Sequence, residues 1–355
     1  QTNIHASTPP SSDAARVYVY FAPLGLIAVN AADGEDVWHQ PLPVPFFVFK
    51  WGPAMSPVLY GDMVLFCQDD DLYPALYAFR KTDGELLWKD DRYDMAVNYS
   101  HPVICETDQG DEIVVAGTGK LIGYDPKNGE RLWHAKVLLR NIKTTPVCHD
   151  GVVYISLQSG GIANQWLATA DQAETGNSDG KLTKEEMQAF VGEIEIPDSF
   201  FQKTFERGDL NQDGFLEGEE LDIAFLHPDN FAGARFDAAE AGEQFIIAVR
   251  GGGRGDVTDS HVLWKHETKY TDHIVSPYVR DGRMFLIKGG GISTVFETEQ
   301  GTPLRRGIVV VLTDDASYDM LAKNDMGDSI VGTPAIADGR LFVRTRTKLI
   351  SVGKD

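Results

Sequence analysis

Residues 56–88, SPVLYGDMVLFCQDDDLYPALYAFRKTDGELLW (Ser56–Trp88), hold three short alternating apolar runs and close on a glycine turn followed by a tryptophan. The runs Pro57–Tyr60, Met63–Cys67 and Ala75–Phe79 are separated by Gly-Asp, by an aspartate triplet and by Thr-Asp-Gly. Period-two alternation between such turn residues predicts antiparallel strands, and Leu86, Leu87 and Trp88 supply a fourth. One four-stranded unit leaves both faces apolar and cannot bury them alone, so the pattern has to recur.

It does recur. His101-Pro102-Val103 to Gly129-Glu130-Arg131-Leu132-Trp133 repeats the unit, as does Thr8-Pro9 to Asp33-Gly34-Glu35-Asp36-Val37-Trp38 upstream. Thr145-Pro146-Val147 opens another copy, whose closing strand His261-Val262-Leu263-Trp264 arrives only after a long insertion. A fifth runs from Ser276-Pro277 to Leu304-Arg305, with arginine in place of the tryptophan, and a partial one from Thr333-Pro334-Ala335 to Leu349-Ile350-Ser351. Pro57 and Pro102 are 45 residues apart, and Pro102 and Pro146 are 44 apart. Four strands per repeat at that period predict an all-β fold, a β-propeller of eight blades when complete, with Trp38, Trp88 and Trp133 wedged between neighbouring blades. Residues 1–159 and 246–355 form its two parts, and 160–245 the insertion. The abrupt first copy, the open last one and the direct passage from Arg306 into Val309 suggest residues absent at the start and near Gly307.

The [ST]-Pro-Val opening and Gly-x-x-x-Trp close resemble the quinoprotein-type, PQQ-binding-like repeat family, and Gly253–His261 and Gly332–Arg344 resemble its secreted bacterial members. The resemblance implies a fold more than an activity, because the family spans quinone-bearing dehydrogenases, an outer-membrane assembly lipoprotein and many unassigned proteins. Its dehydrogenases hold pyrroloquinoline quinone under a disulfide between adjacent cysteines, on a tryptophan, beside a calcium and a catalytic aspartate. No two cysteines are adjacent here and no Cys-x-x-Cys-His haem site exists, so the quinone is not expected.

The chain has 355 residues, is 43% apolar and carries a net charge of −21. No apolar run is long enough for a membrane helix. An acidic chain without a basic face is a poor partner for nucleic acid. Cys67, Cys105 and Cys148, odd in number and without motif spacing, read as buried free thiols. Arg254-Gly255-Asp256 reads as part of a glycine-rich turn, the sequon at Asn98 as unused, and His261 and His266 as opposite faces of one strand.

Within residues 160–245 the periodicity changes from two to about 3.6, with Ile162 and Trp166, Met187 and Phe190, Phe201 and Phe205, and Leu221 and Ala224 at helical spacing. Two loops lie between these patterns. Asp209, Asn211, Asp213, Gly214, Phe215, Glu217 and Glu220 match the EF-hand at positions 1, 3, 5, 6, 7, 9 and 12: side-chain oxygens, the turn glycine, a carbonyl, and a closing glutamate. A hard dication needs six or seven such oxygens from one short loop, so calcium is the expected ligand. In the first loop, counting back from Asp179-Gly180 places Thr175 at position 1, Asn177 at 3, Lys181 at 7 and Glu186 at 12, without a leading aspartate unless Glu174 substitutes. Leu182 and Leu216 occupy matching positions that pair the loops. The insertion holds 19 acidic and 5 basic side chains, so −14 of the −21 resides in it and −7 elsewhere.

The reading is an exported, periplasmic or cell-envelope scaffold that binds a protein partner or small ligand at the propeller face, with calcium in the insertion. A quinone-dependent dehydrogenase is the alternative. Trp51, Asn98, His101, Lys143 and His273, close to the blade openings, are the candidate channel-mouth residues.

Overall fold

The computed structural model describes residues 8–47, 52–93, 98–117, 120–136, 144–158, 170–172, 174, 176–191, 198–224, 244–267, 276–288, 292–308, 310–312, 320–323, 335–337, 340–344 and 347–352. Its strands form consecutive antiparallel blades. The first comprises β1 (Ser11–Ser12), β2 (Arg16–Phe21), β3 (Gly25–Asn30) and β4 (Asp36–Gln40). The second comprises β5 (Val58–Tyr60), β6 (Met63–Gln68), β7 (Ala75–Arg80) and β8 (Leu86–Asp91), and the third β9 (Val103–Thr107), β10 (Gly110–Gly117), β11 (Lys120–Tyr124) and β12 (Arg131–Lys136).

The fourth blade begins with β13 (Val147–His149) and β14 (Val152–Gln158), and its third strand, β15 (Gln244–Arg250), pairs with β14 across the insertion. After β16 (Gly255–Asp256) it closes with β17 (Val262–Glu267). β18 (Tyr278–Arg280), β19 (Arg283–Lys288), β20 (Ile292–Glu297) and β21 (Pro303–Ile308) make the fifth. A two-stranded sheet, β22 (Val310–Leu312) with β23 (Met320–Lys323), and a three-stranded one, β24 (Ala335–Ala337), β25 (Arg340–Arg344) and β26 (Leu349–Val352), follow. First strands of successive blades adjoin, β1 with β5, β9 with β13 and β13 with β18, which puts them innermost.

Because successive side chains point to opposite faces, each middle strand serves two interfaces. In blade 2, Val64, Phe66, Tyr77 and Phe79 pack with Tyr18, Tyr20, Leu26 and Trp38 of blade 1. The alternate residues Leu65, Cys67, Leu76 and Ala78 pack with Ile113, Val115 and Ile122 of blade 3. That is why β6 is buried along its whole length. The expected tryptophans are inside: Trp38 and Trp88 are buried and Trp133 fully so.

One device recurs between blades. The Trp38 indole donates to the Lys81 carbonyl, Trp88 to that of Pro126 and Trp264 to that of Thr298, at 2.9, 2.9 and 2.8 Å. Each ring lies against the turn glycine of the next blade, Gly84, Gly129 or Gly301, so closely that a Cβ there would stand 2.4–2.8 Å from ring carbons. The glycine in the repeat is therefore a seat for the neighbouring tryptophan as well as a positive-φ turn.

Trp133 breaks this pattern. Its indole donates to Glu112 of its own blade at 2.7 Å. The turn it would have met, between β15 and β17, has become a latch: β16 adds to the outer edge of blade 3, parallel to β12, with Trp133 opposite Gly255 and His134 opposite Asp256. Glu112 also accepts from the Gly252 amide at 3.0 Å, and Asp256 sits 3.3 Å from Lys136. The Thr258 hydroxyl and amide hold the Asp256 carboxyl well below the usual carboxylate range. Arg254-Gly255-Asp256 is thus an element of blade-to-blade closure. His261, expected on a strand, ends the short helix Thr258–His261 instead, and only His266 lies on β17.

The cysteine expectation is corrected for two of the three residues. Cys105 on β9 and Cys148 on β13 form a disulfide, Cα–Cα 5.2 Å, and Cys67 alone is a buried free thiol. Their separation of 43 residues matches the repeat period, and first strands of adjacent blades adjoin, so the two thiols meet between blades 3 and 4.

Candidate functional site

The insertion carries three helices among the described residues, α1 (Lys184–Val191), α2 (Asp198–Gly208) and α3 (Glu219–Ala224). Their apolar stripes bury Met187, Phe201, Leu221 and Ala224. Asp209 to Gly218 connects α2 to α3. The Leu182 and Leu216 amides and carbonyls bond reciprocally at 3.1 and 3.0 Å, so the two loops pair back to back as expected.

In the second loop, the Asp209 carboxylate takes the amides of Asp213 and Gly214 at 3.1 and 3.0 Å. The side chain of Asn211 takes the Asp213 amide at 2.9 Å, and Asp213 takes that of Phe215 at 3.0 Å. Glu220, at the start of α3, reaches back to the amides of Leu210 and Asn211 at 3.0 and 3.3 Å. Gly214 at φ 85° allows the sharp turn at position 6. The side chains of Asp209, Asn211, Asp213 and Glu220 thus each accept backbone amides of this one loop. Their oxygens are hard donors of the kind a calcium ion takes. Glu217 faces elsewhere: its carboxylate lies 3.3 Å from Lys181 Nζ of the first loop, and Lys181 sits over the Phe215 ring.

The first loop repeats this framework with a different leading residue. The amides of Asp179 and Gly180 bond to the two carboxylate oxygens of Asp171 at 3.0 and 3.1 Å, as those of Asp213 and Gly214 do to Asp209. Asn177 takes the Asp179 amide at 2.8 Å, and Asp179 takes that of Lys181 at 2.9 Å. Glu186 takes the Asn177 amide at 3.2 Å and also caps α1 through Thr183. Ser178 and Gly180, at φ 61° and 83°, match Gln212 and Gly214 at 61° and 85°. Asp171, fully buried, fills the place assigned to Thr175 or Glu174; Glu174 is exposed and Thr175 lies outside the described residues. Four extra residues hide Asp171 from a count of twelve, and an aspartate one helical turn upstream of the vacant position was the signal.

The family model described as outer membrane protein assembly factor BamB matches residues 1–210, more than half of the chain. The chain belongs to this family. An EF-hand family model matches residues 201–226, the second loop and its flanking helices. Among solved structures, BamB from Moraxella catarrhalis is similar at 11% identity, over 97% of this chain and 81% of that one, with a TM-score of 0.44. A europium-containing methanol dehydrogenase gives 12%, 88%, 52% and 0.44, and the quinohemoprotein alcohol dehydrogenase from Comamonas testosteroni 11%, 94%, 62% and 0.39. No curated protein matches.

In this BamB-family propeller the channel-mouth candidates divide. Trp51, Lys143 and His273 lie outside the described residues. Asn98 is fully buried and ties blade 2 to blade 3: its Nδ2 donates to Asp69 and to the Ala116 carbonyl at 2.9 and 2.5 Å, and its Oδ1 accepts from Ser100. That burial also removes the sequon from solvent. Asp69 in turn binds Arg92 through both oxygens at 2.8 Å, with neither side chain exposed. His101 meets Thr145 of the next blade at 2.9 Å, and burial lowers its pKa to about 4, so its ring is neutral at pH 7. Both polar groups are used between blades. Asp70, which sequence reasoning passed over, is buried and raised to about 7 by desolvation, while accepting the amides of Phe46, Leu72 and Tyr73.

Proposed function

We propose that this chain is a non-catalytic, exported scaffold of the cell envelope, with calcium held by Asp209, Asn211, Asp213, the Phe215 carbonyl and Glu220. The observation that carries the calcium reading is the match of the EF-hand model to residues 201–226, in which Asp209, Asn211, Asp213 and Glu220 order the backbone around the Gly214 turn. Glu217 at position 9 acts through water, because Lys181 already engages it. The first loop, headed by Asp171 with Asn177, Asp179, the Lys181 carbonyl and Glu186, offers a second, weaker place. An affinity of order 10⁻⁴ to 10⁻³ M suffices for an exported module, where calcium is abundant.

The Cys105–Cys148 disulfide supports an oxidising compartment, and the family's description supports the envelope and a protein partner at the propeller face. The bridge joins strands 43 residues apart, unlike the adjacent-cysteine ring over which the dehydrogenases seat their quinone.

Calorimetry of the whole chain with calcium, against Glu220→Gln, tests the metal reading; unchanged binding in the variant sinks the assignment. Dye-linked alcohol oxidation after reconstitution with pyrroloquinoline quinone and calcium would overturn the non-catalytic reading.

A further inference from the structure

We infer that calcium in the Asp209–Glu220 loop controls how firmly the helical insertion is clamped to blade 2, through Lys203. This rests on the calcium reading above. Lys203 projects from α2 toward the propeller, with its ammonium 4.5 Å from the centre of the Tyr93 ring and 5.5 Å from that of Tyr73, and 3.5 Å from the Tyr93 hydroxyl. A cation between two tyrosine faces is a specific attraction.

Both walls of the cage are fixed to the propeller. Tyr73 closes the turn that Asp70 holds through its amide, and Tyr93 follows Arg92, which is locked on Asp69. The other end of the same helix is the metal loop. The Asp209 amide continues the helical bonding to the Phe205 carbonyl at 2.8 Å, so Lys203 and Asp209 lie on one rigid rod, six residues or roughly 9 Å apart along the axis.

Charge sets the sign of the coupling. The insertion carries −14 and the rest of the chain −7, so the two repel, and Lys203 is one of only five cationic side chains available in the insertion to oppose that. Each calcium removes two negative charges from the insertion and lowers the repulsion. Docking in turn brings the loop into the field of the acidic propeller, which favours the cation; the linkage is reciprocal. Loss of Lys203 therefore has two opposite effects on calcium. Removing a nearby positive charge alone tightens binding, whereas releasing the insertion from the propeller loosens it.

The test is calcium calorimetry together with hydrogen exchange on the whole chain, for wild type, Lys203→Met and Lys203→Arg. At low ionic strength, Lys203→Met should bind calcium three- to tenfold more weakly, and Lys203→Arg, which keeps the cation in the cage, should stay within twofold of wild type. The difference should vanish near 1 M salt, where screening shortens to about 3 Å. In wild type and Lys203→Arg, calcium should slow exchange across residues 69–93; in Lys203→Met it should not. Calcium binding as tight or tighter in Lys203→Met, or no effect of calcium on exchange at 69–93 in wild type, overturns the coupling and leaves the metal site standing. Absence of calcium uptake by wild type refutes the metal reading itself, and the clamp's control by calcium with it.

Discussion

The propeller and its helical insertion are stabilised by different physics. Among the described residues, the blades interlock through four apolar interfaces in which tyrosine, phenylalanine and tryptophan side chains are buried between sheets. The insertion has, among the described residues, three short helices and a small core around Met187, Phe201 and Leu221, and it carries most of the chain's net charge. Carbon packing is indifferent to ions, whereas a region this acidic is not. The contrast teaches that agents acting on the two regions should barely overlap, except where Lys203 joins the insertion to blade 2.

The largest expected effect is on the propeller. Trp88→Ala empties the seat against Gly129 and removes the bond to the Pro126 carbonyl, and should cost about 3–5 kcal/mol in urea unfolding while leaving calcium uptake intact. A loss under 1 kcal/mol would mean that the wedge is not what joins blades 2 and 3. Next, Cys105→Ser with Cys148→Ser should destabilise the propeller by about 2–4 kcal/mol, and a reductant should do the same to wild type. Equal melting with and without reductant would break that expectation.

Asp70 gives the pH dependence. Its folded pKa of about 7 exceeds the unfolded value near 3.9, so its contribution to stability is fully present below about pH 4 and lost as pH rises through 7. Asp70→Asn escapes that loss. Its stability relative to wild type should rise between pH 5 and 8, by an amount on the order of 2 kcal/mol; a difference that is flat with pH contradicts the burial argument. The smallest effect on the propeller belongs to Glu220→Gln. Proteolysis should find the insertion loosened in that variant or in chelator, with the propeller's melting unchanged. A matching drop in both regions would erase the contrast.

Much of the propeller was legible because one signal was repeated several times: Pro-opened strands, a glycine turn, a tryptophan. The second EF-hand loop was legible for a related reason, since each position of the motif falls at a fixed count from Gly214. What escaped notice lay where a count was interrupted or two strands had to be compared. Asp171 sits four residues beyond its expected place, and backbone amides converge on it only once the chain is folded. The Cys105–Cys148 pair showed no local motif; its signal was a separation of 43 residues, close to the repeat period of 44 to 45, which becomes a contact when adjacent blades face each other. The use of Asn98 and His101 between blades was hidden because polar residues at a channel mouth and polar residues at a joint look alike in sequence.

The parallel strand at Gly255–Asp256 also sets an order in time. β12 must wait for a partner about 122 residues downstream, with the whole helical insertion made in between. At 5–20 residues per second, the outer edge of the third blade stands open for roughly 6–25 s of synthesis. An unpaired edge invites pairing with other chains, and the side chains along β12 suit such an interval: Arg131, His134 and Lys136 discourage a second strand until the chain supplies its own. Asp256 then meets Lys136 and His134 at 3.3 and 3.6 Å, so the residues that guard the edge in the nascent chain become the ones that seal it.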